Sequence, residues 1–414
     1  MDKQKTLILL TESYPFLYEE FFLDDEIGII AKRFEKIIII TKEQNNPNYI
    51  RHLPSNVFVN TYSQKVTIDI KIFGLLSFSK IFFWKEIFYI IKNFKLKLIF
   101  HIFKIMYMDI VKARILTRFI NIIVRKNRYE SQNIIFYSYW HDYKSLALAL
   151  LKKENKDFKC ISRSHGWDIF FDRHPIPYLP FKKNIVLSLD QTYSISLAGK
   201  MEFLRLLGSQ FENKISISRL GKTSTRVCNV QKKEDSVLFC SCSFLLPLKR
   251  IHLIIDILAQ LQFKKIKWVH WGEGELRKEL EEYAKQKISH VEFCFKGIVK
   301  NSEILEFYHN NYVDLFINVS ESEGIPVSIM EALSAGIPII ATDVGGTSEI
   351  VNKKFGFLIN KEFDVNVIAQ VIETYLSSSL ENQLHYRQNA FDFWKKSYNA
   401  DINYNKFADE LLGL

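Results

Sequence analysis

The sequence predicts an α/β protein of two domains with parallel sheets, and three observations carry that prediction. At 414 residues the chain is long enough for two cores, since a domain takes roughly 100 to 200 residues. Apolar runs of strand length recur along it with helical patterns between most of them, an alternation that calls for parallel strands joined by crossover helices. Between the two sets of runs, T-R-V-C-N-V-Q-K-K-E-D at 225–235 is polar enough to be a linker.

Taken in order, the first domain (1–223) opens with a strand at 6–11 and continues with strands at 36–41, 133–137, 160–163 and 185–189. The second (236–385) carries strands at 237–242, 267–271, 291–295, 315–319 and 337–341. A helix at 327–335 precedes the last of these and stops at Gly336-Ile337-Pro338. Residues 386–414, with Phe391, Trp394, Tyr404 and Phe407, read as a closing helical stretch.

Hydrophobic residues at 48% and aromatics at 14% are globular values, without internal repeats or low-complexity tracts. The five cysteines are odd in number and show no C-x-x-C spacing, which suits a reduced cytosol with buried thiols. The chain enters a strand by Leu7, so no leader segment is expected, and no apolar run approaches the roughly 18 residues of a membrane span. Residues 71–130 hold 13 Lys+Arg against 3 Asp+Glu, the whole net charge of +10, while the rest of the chain is balanced. Lys80, Lys85, Lys92, Lys95, Lys97 and Lys104 there interleave with Phe, Ile and Trp84. Basic and aromatic residues at helical spacing suit a surface helix docked on anionic lipid. A core helix whose lysines face water is the alternative, and no nucleic-acid-binding module accompanies the segment.

The most informative string is S-E-S-E-G-I-P-V-S-I-M-E-A-L-S-A-G-I-P-I-I-A-T-D-V-G-G, which sets Glu323 and Glu331 eight positions apart. Glu323 falls at a strand's carboxyl end and Glu331 one to two turns down the following helix. Gly324 and Ile325, at the helix start with Pro326 and Val327, are placed to receive an anion such as phosphate, because a helix N-terminus presents unpaired N–H groups and partial positive charge.

This string resembles the E-x7-E motif of retaining family 4 glycosyltransferases (glycosyl transferases group 1), and the following G-I-P-I-I-A-T-D-V-G-G continues the resemblance. It implies the GT-B fold: two Rossmann-like domains facing across a cleft, with the C-terminal helix crossing back to the N-terminal domain. By resemblance, Glu331 holds the ribose hydroxyls of a nucleotide and Glu323 faces the donor sugar. Lys249 and Arg250, after the first strand of the second domain, take the donor diphosphate, with Phe244 where relatives often carry Arg. Gly272 and Gly274 match the family's Gly-containing turn. Gly297 and Ile298 resemble the loop whose backbone reads the base, with Glu273 near; Gly345 and Gly346 allow a turn beside the nucleotide. In R-S-H-G-W-D, His165 takes the place of the family's catalytic histidine, supported by Gly166 and Asp168. The opening T-E-S-Y-P-F-L-Y-E-E lacks the usual Gly-Gly loop and leaves Tyr14 and Glu20 on the acceptor side. Tyr139, Trp140 and His141 either stack on sugar faces or pack in the core.

The implied activity is transfer of a sugar, with retention, from a nucleoside diphosphate sugar to a saccharide or polyprenyl/lipid-linked acceptor. The implied setting is bacterial surface polysaccharide synthesis (lipopolysaccharide, capsule or exopolysaccharide), in the cytoplasm and peripherally on the inner face of the membrane. The chain has no D-x-D triple, so no metal or other cofactor is expected, nor a nucleic-acid partner. A nucleotide-sugar epimerase or sugar phosphorylase of the same fold is the alternative enzyme, and a silent scaffold the non-enzymatic one; the presence of both glutamates and His165 speaks against decay.

Overall fold

A computed structural model describes residues 5–16, 20–44, 51–65, 81–93, 96–224, 231–232 and 236–414. Most of the expected linker, and Lys80 and Lys95 of the basic segment, lie outside the described residues; so does the side chain of Lys85. The chain divides into two compact units, Met1–Arg219 with Tyr404–Leu414, and Leu220–Asn403.

In the first unit the described strands are β1 (Thr6–Leu10), β2 (Lys36–Lys42), β3 (Val57–Tyr62), β4 (Ile134–Ser138), β5 (Lys159–Ser164), β6 (Gln191–Ser194) and β7 (Ile215–Ile217). They form one parallel sheet in the order β3-β2-β1-β4-β5-β6-β7. All five residues of β1 and of β4 are buried, as expected for central strands covered on both faces. One face packs Ile8, Leu10, Ile38 and Phe136 against a core shared with Ile102, Met106, Ile110 and Leu116. Those four belong to α3 (Leu96–Asn127), which follows α1 (Leu23–Ile30) and α2 (Ile81–Asn93).

The strand expected at 185–189 is instead part of a helix, α5 (Lys182–Ser188), which follows α4 (Tyr143–Glu154). A five-residue apolar run does not separate a strand from a buried helical turn. Here Ile185 and Val186 are buried while Leu187 is exposed. The sheet position is filled by β6, whose Thr192 and Ser194 are buried and polar. After it come α6 (Leu197–Leu207) and β7. The edge strands β3 and β7 are short or mixed in polarity and give little periodic signal.

A fully buried ion pair ties this unit together. Arg163 on β5 meets Glu26 on α1 at 2.5 Å, both side chains at 0% exposure. The second guanidinium nitrogen donates to Ser218 Oγ at 2.8 Å, and Tyr137 O–H donates to Glu26 at 3.1 Å. The guanidinium also lies 4.1 Å from the Phe407 ring, within the Tyr404–Leu414 stretch that rejoins this unit. Burial disfavours the Arg163 charge, and Glu26 outweighs it, so the guanidinium is held protonated.

The second unit has β8 (Val237–Cys242), β9 (Ile266–Trp271), β10 (Val291–Phe295), β11 (Leu315–Asn318), β12 (Ile339–Thr342) and β13 (Gly356–Ile359), parallel throughout in the order β10-β9-β8-β11-β12-β13. Between them lie α7 (Ile251–Gln260), α8 (Arg277–Lys287), α9 (Asn301–Asn310) and α10 (Val327–Ser334); α11 (Val365–Leu376), α12 (Leu380–Ser397) and α13 (Ala400–Leu412) follow. Phe239, Trp268, Leu315 and Ile317 pack with Ile254, Ile255 and Leu258 of α7 in its main core. Cys160 and Cys240 are buried as expected, but Cys294, on edge strand β10, is exposed.

Glu26→Ala should destabilise the protein by roughly 3 to 5 kcal/mol in denaturant unfolding, since it leaves the Arg163 charge buried without a counter-charge. A loss under about 1 kcal/mol would show that the pair is not what fixes α1 to β5.

Candidate active site

Parallel strands end at one edge of their sheet, and the loops after β8, β9, β10, β11 and β12 gather there. Glu323 stands in the loop after β11, four residues before α10, and Glu331 lies one turn inside the helix. The Glu323 carboxylate accepts from Lys249 Nζ at 2.6 Å and from Asn318 Nδ2 at 3.3 Å. Burial alone would push this carboxyl up; the adjacent Lys249 ammonium and the hydrogen bonds from Lys249, Ser320 and Asn318 outweigh it and hold it below the usual range. Lys249 closes the single turn Pro247–Lys249 after β8.

Arg250 follows in the left-handed region, with φ +50°, at the start of α7. Its Nε donates to the Val319 carbonyl at 2.8 Å, and its Nη2 is buried without a hydrogen-bond partner among the described residues. Glu331 is 2% exposed and has different neighbours. Its Oε1 accepts from Asn301 Nδ2 at 2.6 Å and lies 3.4 Å from Lys222 Nζ, which also donates to Asn301 Oδ1 at 3.0 Å. The structure therefore brings Lys249 and Glu323 into direct contact, and surrounds Glu331 with two residues that the sequence reading did not single out.

Two glycines hold the loops together. At Gly272, with φ +140°, an added Cβ would lie 1.8 Å from the Ser243 carbonyl, so only glycine lets the loop after β9 lie against the loop after β8. Gly272 N–H donates to the Gly297 carbonyl at 3.0 Å. Gly346 N–H donates to the Gly324 carbonyl at 2.8 Å, and a Cβ there would fall 2.5 Å from that oxygen. Arg277 Nη2 fixes the Phe295 carbonyl at 2.9 Å while Nη1 pairs with Glu273 at 2.5 Å, which leaves Ile298 exposed beyond them. Phe244, five residues before Lys249, is exposed.

In the first unit, His165 follows β5 and is enclosed by aromatic rings: Tyr139 at 4.5 Å, Trp140 at 4.7 Å and Phe22 at 5.9 Å between centroids. Its Nε2 is buried and has no hydrogen-bond partner among the described residues. Burial, then the Arg163 charge, lowers the imidazole to about 3 against an opposing hydrogen bond to the Tyr139 main chain. Asp168 is turned inward, accepting from His141 N–H at 2.6 Å and His165 N–H at 2.5 Å, so it straps the loops after β4 and β5 together. Burial pushes its carboxyl up to about 7. Gly166, between them, accepts at its carbonyl from Phe170 N–H at 3.3 Å.

Glu20 is also turned inward, at 2% exposure. It accepts from the main-chain N–H groups of Glu12, Ser13 and Tyr14, and from the Trp140 indole N–H at 2.5 Å. The loop after β1 thus gathers its donors around the protein's own carboxylate. Tyr14 is buried beside Arg51. Tyr139 and His141 are wholly buried, the core alternative of the two readings open for them. Nothing in the spacing of Lys222, Asn301, Arg277 or Phe22 marks them in the sequence; their contacts come from distant parts of the chain.

Residues 228–393 match the family model described as glycosyl transferases group 1. That stretch belongs to the glycosyl transferases group 1 family. It contains both glutamates, Lys249, Arg250 and the glycine turns. The chain is 29% identical over 211 residues, half of its length, to the O-antigen biosynthesis glycosyltransferase WbnH of Escherichia coli, and the match spans 59% of that relative. Among solved structures, Anabaena HepE in complex with UDP aligns over 99% of this chain and 100% of its own, with a TM-score of 0.66 at 15% identity. Sucrose-phosphate synthase from Thermosynechococcus elongatus aligns over 98% of both chains, with a TM-score of 0.69 at 13% identity. The two parallel-sheet units are those of the GT-B fold.

The His165 ring should stay neutral down to pH 5 in an NMR titration. Its folded value lies below the unfolded one near 6.5, so its contribution to stability is full above about pH 6.5 and is lost as the pH falls toward 3. A His165 resonance titrating near 6.5 would contradict the enclosed position.

Proposed function

We propose that the protein is a retaining glycosyltransferase that moves a hexose-type sugar from a nucleoside diphosphate to a saccharide or lipid-linked acceptor in the assembly of a bacterial surface polysaccharide. The observation that carries the reading is the arrangement around α10: a lysine-paired carboxylate ahead of the helix N-terminus and a second, separately held carboxylate one turn inside it. The O-antigen role named for WbnH and the UDP held by HepE support the substrate class.

In this reading Glu331, which accepts hydrogen bonds and donates none, takes the ribose hydroxyls. The diphosphate lies toward the N-terminus of α10, where Lys249 and Arg250 add positive charge. As the bond from the anomeric carbon to the diphosphate oxygen breaks, these cations stabilise the charge that develops on the leaving group. The acceptor hydroxyl bonds to the anomeric carbon on the same face, and its proton passes to the departing phosphate. Glu323, kept ionised by Lys249, orients the sugar. In the first unit His165 Nε2, buried and without a hydrogen-bond partner among the described residues, is left in this reading for a substrate hydroxyl. The protein's own cations serve the leaving group, so no metal is required.

The basic segment supports a position for this chemistry at the cytoplasmic membrane face. Trp84, Phe88 and Ile91, spaced i, i+4, i+7 on α2, are 58%, 71% and 60% exposed, and Phe100 on α3 is 77% exposed. Lys92, Lys97 and Lys104 are exposed near them in the sequence. Among the described residues no helix is long and apolar enough to cross a membrane. A basic face with protruding aromatics suits peripheral binding to anionic lipid, each lysine near the surface adding about 1 kcal/mol.

Glu331→Ala should weaken nucleoside diphosphate binding about ten- to a hundredfold by calorimetry, the equivalent of roughly 1.5 to 3 kcal/mol for hydrogen bonds to a charged group. Glu323→Ala should depress turnover more than binding, and EDTA should leave wild-type turnover intact. Unchanged nucleotide affinity in folded Glu331→Ala protein, or activity lost to EDTA and restored by magnesium, would sink the corresponding role. The protein should co-sediment with phosphatidylglycerol vesicles, leave them at high salt, and lose binding on replacing Lys92, Lys97 and Lys104 with Gln. Equal binding to neutral vesicles, or none to either, would remove the membrane reading.

A further inference from the structure

The buried lysine beside Glu331 is the strongest feature that the sequence motif leaves unexplained. Lys222 lies in the short stretch Leu220-Gly221-Lys222-Thr223-Ser224 with which the second unit begins. Its side chain is 4% exposed, against 3% for Glu331. A lysine is almost never buried to that degree unless it is paired, and this one is 3.4 Å from Glu331 Oε1 and donates to Asn301 Oδ1 at 3.0 Å. Asn301, the first residue of α9, closes the triangle by donating Nδ2 to the same Glu331 oxygen at 2.6 Å.

The main chain holds Lys222 as firmly as the side chain does. Lys222 N–H donates to the Tyr398 carbonyl at 2.9 Å, and the Lys222 carbonyl accepts from Ala400 N–H at 3.2 Å. At Gly221 an added Cβ would lie 2.5 Å from Ala400 Cα, so the preceding glycine is what lets the strand of chain approach that closely. The ammonium is therefore delivered to Glu331 by a segment anchored at both ends of the contact.

We propose that Lys222 and Asn301 are positioning residues for nucleotide recognition, holding the Glu331 carboxylate ionised and in one orientation so that it accepts from the ribose diol. This rests on the reading of Glu331 as the ribose ligand. A carboxylate accepts from a vicinal diol only while it is ionised and correctly turned, and at this depth an uncompensated charge is strongly unfavourable. The ammonium supplies the compensation, and the amide, bound to both partners, fixes the rotation. The consequence is specific: removing Lys222 should damage recognition of the ribose hydroxyls, not of the base or the diphosphate.

The test measures calorimetric affinities of UDP, GDP and ADP for the wild type, then of the tightest of the three against its 2′-deoxy form. Wild type should lose about tenfold on loss of the 2′-hydroxyl. Lys222→Met, with its fold checked by thermal unfolding, should bind the parent nucleotide about tenfold more weakly and should discriminate less than threefold against the 2′-deoxy form; Lys222→Arg should recover most of both. Asn301→Ala should shrink the same discrimination, and it serves as the decisive variant if Lys222→Met does not fold. A folded Lys222→Met or Asn301→Ala protein that keeps the full 2′-hydroxyl discrimination would overturn the positioning role while leaving Glu331 as the ribose ligand. A wild type that binds none of the three nucleotides, or binds them without regard to the 2′-hydroxyl, would overturn the ribose reading and this inference with it.

Discussion

The short helix α10 imposes the constraint on which the second unit's site depends. Glu323 stands four residues ahead of it and Glu331 one turn inside, so the two carboxylates share a helix start, yet each has its own counter-ion. Each is largely buried, and a buried carboxylate requires its own compensating partners. Lys249 meets the first from the turn after β8, and Lys222 with Asn301 meets the second. The loops after β8, β9, β11 and β12 are in turn held by close main-chain approaches, Gly272 against Ser243 and Gly346 against Gly324, where any side chain would collide.

In the first unit a buried charge has a comparable reach. Arg163 and Glu26 are both fully buried, and the guanidinium packs on Phe407 from the C-terminal stretch. Two residues further along the chain is His165. The Arg163 charge adds to burial in keeping that imidazole neutral, so the structural ion pair and the protonation state of the histidine are physically linked. Asp168 and Glu20 occupy the loops beside it, each with its oxygens engaged by main-chain N–H groups. Acids in motif-like strings are easily read as substrate ligands; here both supply the acceptors that loops without glycine-rich turns need for their buried donors.

Much of this was legible from the sequence, for identifiable reasons. Central parallel strands are buried on both faces, so β1, β2, β4, β8 and β11 announce themselves as apolar runs, and the E-x7-E string with its glycine and proline punctuation marks a strand, loop and helix in register. Those signals are local. The edge strands β3 and β7 and the polar β6 lack them, and the run at 185–189 satisfied a strand's composition while folding as α5, because burial of Ile185 and Val186 is served equally by a helical turn.

What the sequence determined by itself is the chemistry carried along one stretch of chain: two α/β units, two carboxylates at a fixed spacing, a Lys-Arg pair after the first strand of the second unit, a histidine after β5. Only the tertiary structure decided which groups meet. Lys222 and Asn301 lie 109 and 30 positions from Glu331 in the chain, a separation no periodicity encodes, and Glu20 turns inward because donors from two different loops converge on it. Side-chain direction and long-range pairing are settled by which arrangement satisfies buried charge and buried main-chain donors at once, a condition that exists only in the assembled fold.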